Sequence, residues 1–218
     1  MNFKNAIFDM DGTLIYSLKF WPSFWSKFGE EYFNDKDFKP TREEDIMART
    51  SLVKDVSKYM YETYHIGNSA KELYEFADEY MRWYYLNVVT LKEGAVEYLD
   101  YLYKKGVKLA IASGTEPKNI KLVLERFKID KYFDVVVSCL DVNKGKEEPD
   151  VYYLTLEKLK ANVEDTILFE DSLLAVQTAT KIGVKCVGIY DENNYGFEEM
   201  AKLCVDTVAC GETFFKFL

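Results

Sequence analysis

Five short apolar runs, at residues 5–9, 107–113, 133–138, 166–170 and 184–190, alternate with longer amphipathic patterns along the 218-residue chain. That rhythm predicts a doubly wound α/β fold, because parallel strands need long crossovers and are covered by helices on both faces. Between the runs, Val96, Leu99 and Leu102 share one face of a helix predicted over 93–105, with Gly106 as its stop. Ile120, Val123, Leu124 and Phe127 do the same after Pro117, a residue suited to a first helical turn. Two more helices are predicted to begin near Asp150 and near Ser172.

Residues 17–89 break the rhythm and hold no convincing strand. Phe20, Trp21, Phe24, Trp25 and Phe28 recur at helical spacing. Thr41 with Glu44, and Ser69 with Glu72, have the spacing of a capping box. Ser51 likewise precedes a helical pattern through Val53, Val56, Met60 and Tyr64. The expectation is an all-helical domain at 17–89, inserted into an α/β core made of 1–16 and 90–218.

Composition narrows the partners. The chain is 48% hydrophobic and 30% charged, as in ordinary globular proteins, with a net charge of -9. A surface of that sign repels nucleic-acid backbones and anionic membranes, so neither is an expected partner. Attraction of an anionic substrate must then come from a local pocket. Cys139, Cys186, Cys204 and Cys210 form no Cys-x-x-Cys pair, and His65 is the single histidine. Zinc is not expected; reduced, mostly buried thiols and a cytoplasmic location are. No apolar run reaches membrane-spanning length and no signal segment opens the chain. Oligomeric state leaves no trace in the sequence.

Four motifs carry candidate chemistry. Asp9-Met10-Asp11-Gly12-Thr13 closes the first predicted strand, and in open parallel sheets ligands bind at that carboxyl edge. A plain Asp-Gly turn explains the same residues. Ser113-Gly114-Thr115 closes the second strand, where a hydroxyl and free amides ahead of a helix can hold an anion, or simply cap the helix. Gly145-Lys146 precedes Pro149-Asp150, and Lys146 could place a compact positive charge on a phosphoryl group, with Lys144 as a rival. Glu170-Asp171 ends an apolar strand; two acids there are costly unless a cation joins them or Asp171 caps the next helix. Each motif has its own bland account, but no shared account covers four in order at four strand ends.

The ordered set resembles the haloacid dehalogenase superfamily, in its phosphatase and phosphomutase branch with a helical cap after the first motif. The resemblance implies Asp9 as nucleophile and Asp11 as general acid and base. It implies Ser113, Gly114 and Lys146 as phosphate-binding groups, and Mg²⁺ held among Asp9, Asp11, Glu170 and Asp171. Arg49 is a candidate substrate contact from the cap, and Trp21 and Trp25 are further cap candidates. The chain departs from the pattern at Tyr16, where many relatives have Asp, at Leu174 in place of a Gly, and at Glu147 in place of a Pro. The loop at Ala48-Arg49-Thr50 also lacks a customary glycine. The implied function is Mg²⁺-dependent hydrolysis of a small phosphorylated metabolite through an aspartyl-phosphate. The alternatives are a sugar phosphomutase of the beta-phosphoglucomutase kind and, less favoured, a non-catalytic phosphoacceptor module.

Overall fold

A computed structural model describes residues 3–218. The chain divides into two compact units, one ending at Leu18 and resuming over Val89–Leu218, the other spanning Lys19–Val88.

The first unit is built on a six-stranded parallel sheet. Its strands are β1 (Asn5–Phe8), β4 (Lys108–Ser113), β5 (Val135–Ser138), β6 (Thr166–Glu170), β7 (Lys185–Ile189) and β8 (Asp206–Val208), in the order β5-β4-β1-β6-β7-β8. Two further strands, β2 (Ile15–Tyr16) and β3 (Thr90–Leu91), form a separate antiparallel ribbon. The chain leaves this unit just after β2 and returns just before β3. Helices α5 (Ala95–Lys104), α6 (Pro117–Phe127), α7 (Cys139–Val142), α8 (Asp150–Leu159), α9 (Leu173–Lys181) and α10 (Phe197–Ala201) make the crossovers. Every residue of β1 and β6 is buried, as expected for central strands covered on both faces. Phe8 stacks on Phe169 across these two strands with centroids 4.5 Å apart, and Tyr98 of α5 meets both rings edge-on. This aromatic layer lies directly beneath the strand ends that carry Asp9 and Glu170, and burying each ring contributes roughly 1.5–3 kcal/mol.

The fold class is the predicted one, and the predicted strands fall within a residue or two of those observed. Strand β8 and the β2–β3 ribbon were not predicted, because runs of two or three residues carry too little periodicity to register. The thiols are less buried than expected: Cys139 and Cys186 are buried, Cys204 is partly covered and Cys210 is exposed.

The second unit comprises α1 (Phe20–Phe33), α2 (Arg42–Thr50), α3 (Val53–Tyr64) and α4 (Ala70–Asn87). Phe20, Phe24, Trp25 and Phe28 form the buried stripe of α1, which follows from their spacing. Thr41 and Glu44 make the predicted capping box on α2. Ser69 caps α4 by accepting from the Glu72 amide, but the Glu72 carboxylate reaches Asn68 N instead of closing the box. Ser51 is not a cap for α3; it ends α2, and Leu52 precedes α3 without a side-chain cap. Among the described residues no helix is long and apolar enough to cross a membrane.

Candidate active site

Strand β1 stops at Phe8, so Asp9 is the first residue beyond the sheet's carboxyl edge. Its amide donates to Phe169 O at 2.9 Å, which fixes it beside the end of β6. The chain then folds into a tight loop in which the amides of Leu14 and Ile15 both donate to Met10 O. Gly12 makes this turn possible with φ +79°, a left-handed conformation that side chains disfavour. A Cβ there would also fall 2.4 Å from Asp171 Oδ2, so the loop packs directly on that carboxylate.

One carboxylate oxygen from each of Asp9, Glu170 and Asp171 lies within 4.8 Å of the other two, and all three residues are buried. Lys146 Nζ bridges two of them, 2.5 Å from Asp9 Oδ1 and 2.6 Å from Glu170 Oε2. Lys144 instead pairs with Asp150 at an exposed position. Glu170 Oε1 accepts from the amides of Asp171 and Ser172. Asp171 Oδ1 accepts from the Thr13 hydroxyl at 3.1 Å, and its Oδ2 from Asn194 Nδ2 at 2.5 Å. Asp171 therefore does not cap α9; Ser172 does, accepting from Ala175 N.

Burial dominates the electrostatics. It pushes the Asp9 carboxyl up to about 7, with the Lys146 charge opposing and the Glu170 charge adding to the rise. Asp171 is raised well above the ordinary carboxylate range by burial, then by Glu170 and Asp9, against the opposing charges of Lys146 and Lys92. Burial pulls Lys146 down, yet the carboxylates of Asp9 and Glu170 outweigh it and hold the ammonium well above its usual range. Three buried acids against one ammonium are short of positive charge. Hard oxygen donors in that number, with a supporting hydrogen-bonded shell, fit Mg²⁺ or a similar divalent cation.

Asp11 does not join this cluster. The turn carries its carboxylate toward the end of β4, where Oδ2 accepts from the Thr115 hydroxyl at 2.7 Å. The three-acid group does not include the Asp11 carboxylate, which the sequence reading places in the ligand set. Ser113, the last residue of β4, is buried and accepts from the Thr115 amide at 3.1 Å. Gly114 follows it and is exposed. Neither Ser113 nor Thr115 caps α6, whose N-cap is Glu116. The loop is pinned from β5 by Ser138, whose hydroxyl donates to Thr115 O at 2.7 Å. Arg49 belongs to the helical unit, where it pairs with Asp45 at 2.7 Å and lies over the Trp21 ring. Trp25 is core there, 4% exposed, and donates to Asp45.

Sequence reasoning missed Ser138 and Asn194, and gave Thr13 and Thr115 no part of their own within the motifs that contain them. A signal existed for Asn194: the polar run Asp191-Glu192-Asn193-Asn194 follows the predicted strand at 184–190, at the same edge as the other motifs.

A parallel α/β sheet with an acidic cluster and a lysine at its carboxyl edge fits an enzyme of the Rossmann-like hydrolase class. The chain belongs to the haloacid dehalogenase-like hydrolase family, whose model matches residues 6–189. It is 29% identical over 194 residues to a phosphorylated carbohydrates phosphatase of Thermotoga maritima, covering 88% of this chain and 87% of that protein. It is 25% identical over 195 residues to a validoxylamine A 7'-phosphate phosphatase of Streptomyces hygroscopicus, covering 86% and 85% of the two. Its fold is shared with CbbY from Rhodobacter sphaeroides, with a TM-score of 0.79, 20% identity, and 94% and 93% of the chains covered.

Proposed function

We propose that the chain is a Mg²⁺-dependent phosphatase acting on a small phosphorylated metabolite. The observation that carries this reading is the convergence of Asp9, Glu170, Asp171 and Lys146 at one strand edge, with Asp11 held just outside it. The phosphatase named above, similar over most of both chains, supports phosphate-ester chemistry.

A phosphate monoester resists attack because its oxygens are negative and its leaving alkoxide is poor. Asp9, Glu170 and Asp171 are the residues that would hold Mg²⁺, which when bound supplies charge neutralisation for the phosphoryl group. Asp9 donates an electron pair to phosphorus as the ester P–O bond breaks, giving an aspartyl-phosphate. Asp11 gives its proton to the departing oxygen. It then takes a proton from water as that water attacks phosphorus, releasing inorganic phosphate and restoring the Asp9 carboxylate. Ser113, the Gly114 amide and Lys146 are assigned to the phosphoryl oxygens, where charge accumulates. The helical unit is assigned the part of a cap that excludes bulk water and sets specificity.

The test is phosphate release from sugar, polyol, nucleotide and short-acid phosphates by wild type and Asp9→Asn, with Mg²⁺ and with EDTA. Release should vanish with EDTA and in the variant. Undiminished release by Asp9→Asn overturns the assignment. Turnover confined to a sugar phosphate supplied with a bisphosphate activator would move the chain to the phosphomutases.

A further inference from the structure

Lys92 is 6% exposed, and its ammonium lies 3.1 Å from Asp191 Oδ2, itself buried. The same ammonium donates to Tyr190 O at 2.7 Å and lies 4.9 Å from the centroid of the Tyr16 ring. A buried ion pair adds little net stability, since desolvation cancels most of its attraction, which leaves room for another use. The segment it grips supplies that use. Asp191 Oδ1 accepts from Asn193 N, and Asp191 O accepts from Asn194 N, which orders the turn after β7. Asn194 then donates through Nδ2 to both Asp171 O and Asp171 Oδ2. On its other side Lys92 is tied by its own amide to Leu14 O, in the loop that also carries Thr13, the second donor to Asp171.

We infer that Lys92 is a positioning residue for the divalent-cation site: it clamps the turn at Tyr190–Asn194 so that Asn194 presents the Asp171 carboxylate to the cation. The inference rests on the cation-binding reading of the acidic cluster. Lys92 is not among the acids that would hold the cation; it acts on Asp171 through Asp191 and Asn194, beside the direct pull of its own charge on that carboxylate. Outer-shell groups that orient metal ligands change affinity by about 10- to 100-fold when removed, which sets the expected effect.

Direct titration with Mn²⁺, a paramagnetic stand-in for Mg²⁺, followed by electron paramagnetic resonance and calorimetry, tests this without recourse to turnover. Lys92→Met and Asn194→Ala should each weaken Mn²⁺ binding by about 10- to 100-fold. Combined, they should lose little more than the worse of the two, because they act on one chain of contacts. Lys92→Arg, which keeps a cation at the clamp, should recover most of the affinity. Lys4→Met, which removes an exposed ion pair with Asp165, should bind as wild type does. Because Lys92→Met strands the Asp191 charge, the variant Lys92→Met with Asp191→Asn is titrated beside it and should show the same loss. A folded Lys92→Met that binds Mn²⁺ within twofold of wild type overturns the inference and leaves the cluster reading intact. Loss of fold in both Lys92→Met variants assigns Lys92 to stability and overturns it as well. A wild type that binds no divalent cation overturns the cluster reading and the inference together.

Discussion

The Lys146 ammonium sits 2.5 Å from the Asp9 carboxylate although 137 residues separate them in the chain. The contact exists because β1 and β6 are neighbours in the sheet and the loop before α8 returns to the same edge. Lys146 also contacts Glu170, so one flexible cation balances two buried acids and still leaves the site short of positive charge.

Removing that balance should be costly. Lys146→Gln leaves Asp9 and Glu170 buried without their counter-charge, and breaking a buried pair in this way costs about 3–5 kcal/mol. Urea denaturation in EDTA should show a loss of this size, with part of it recovered on adding Mg²⁺, which binds the folded state. A variant as stable as wild type in EDTA would show that water already screens the acids.

The pH dependence of the metal-free protein follows from Asp9. Its folded pKa of about 7 lies above the ordinary 3.8, chiefly through burial. Between those values the folded chain keeps a proton that the unfolded chain has released, so stability from this group is full at low pH and lost as pH rises through 7. Asp9→Asn cannot ionise there. Its melting temperature in EDTA should gain on wild type as pH rises from about 4 to about 7 and change little beyond. A constant difference across that window would refute the buried-carboxyl account.

Asp11 should behave as a proton carrier held by Thr115. Asp11→Asn is expected to lose about 10²- to 10⁴-fold in kcat with its fold retained. Thr115→Val removes one hydrogen bond to a carboxylate, worth roughly 1.5–3 kcal/mol, and should lower kcat by roughly 10- to 100-fold with a smaller change in KM. Steady-state kinetics on the best substrate of the panel checks both. Normal kcat in Asp11→Asn would remove its acid and base role.

The helical unit offers a control in which stability changes but chemistry does not. Thr41→Ala removes the capping-box hydroxyl on α2 and should destabilise the protein by about 1 kcal/mol. Melting by circular dichroism measures this loss, and kcat should stay at the wild-type value. A stability equal to wild type would mean that the Thr41–Glu44 contacts do not persist in solution.

The sequence by itself determined the periodic elements and the identity of the strand-end groups. Buried central strands are continuous apolar runs, and amphipathic helices repeat every three to four residues, so Thr166–Glu170 and the helix from Pro117 were legible from local pattern. Asp9, Ser113 and Glu170 were legible because each ends or directly follows a strand at the edge where ligands bind, and Lys146 because Gly145-Lys146 leads into the helix at Asp150. Only the tertiary structure decided which groups meet. It turned Asp11 away to Thr115, brought Asn194 to Asp171, and buried Lys92 against Asp191. These choices depend on the turn at Gly12 and on distant loops closing over one strand edge, and no periodicity in a chain encodes a contact between segments so far apart.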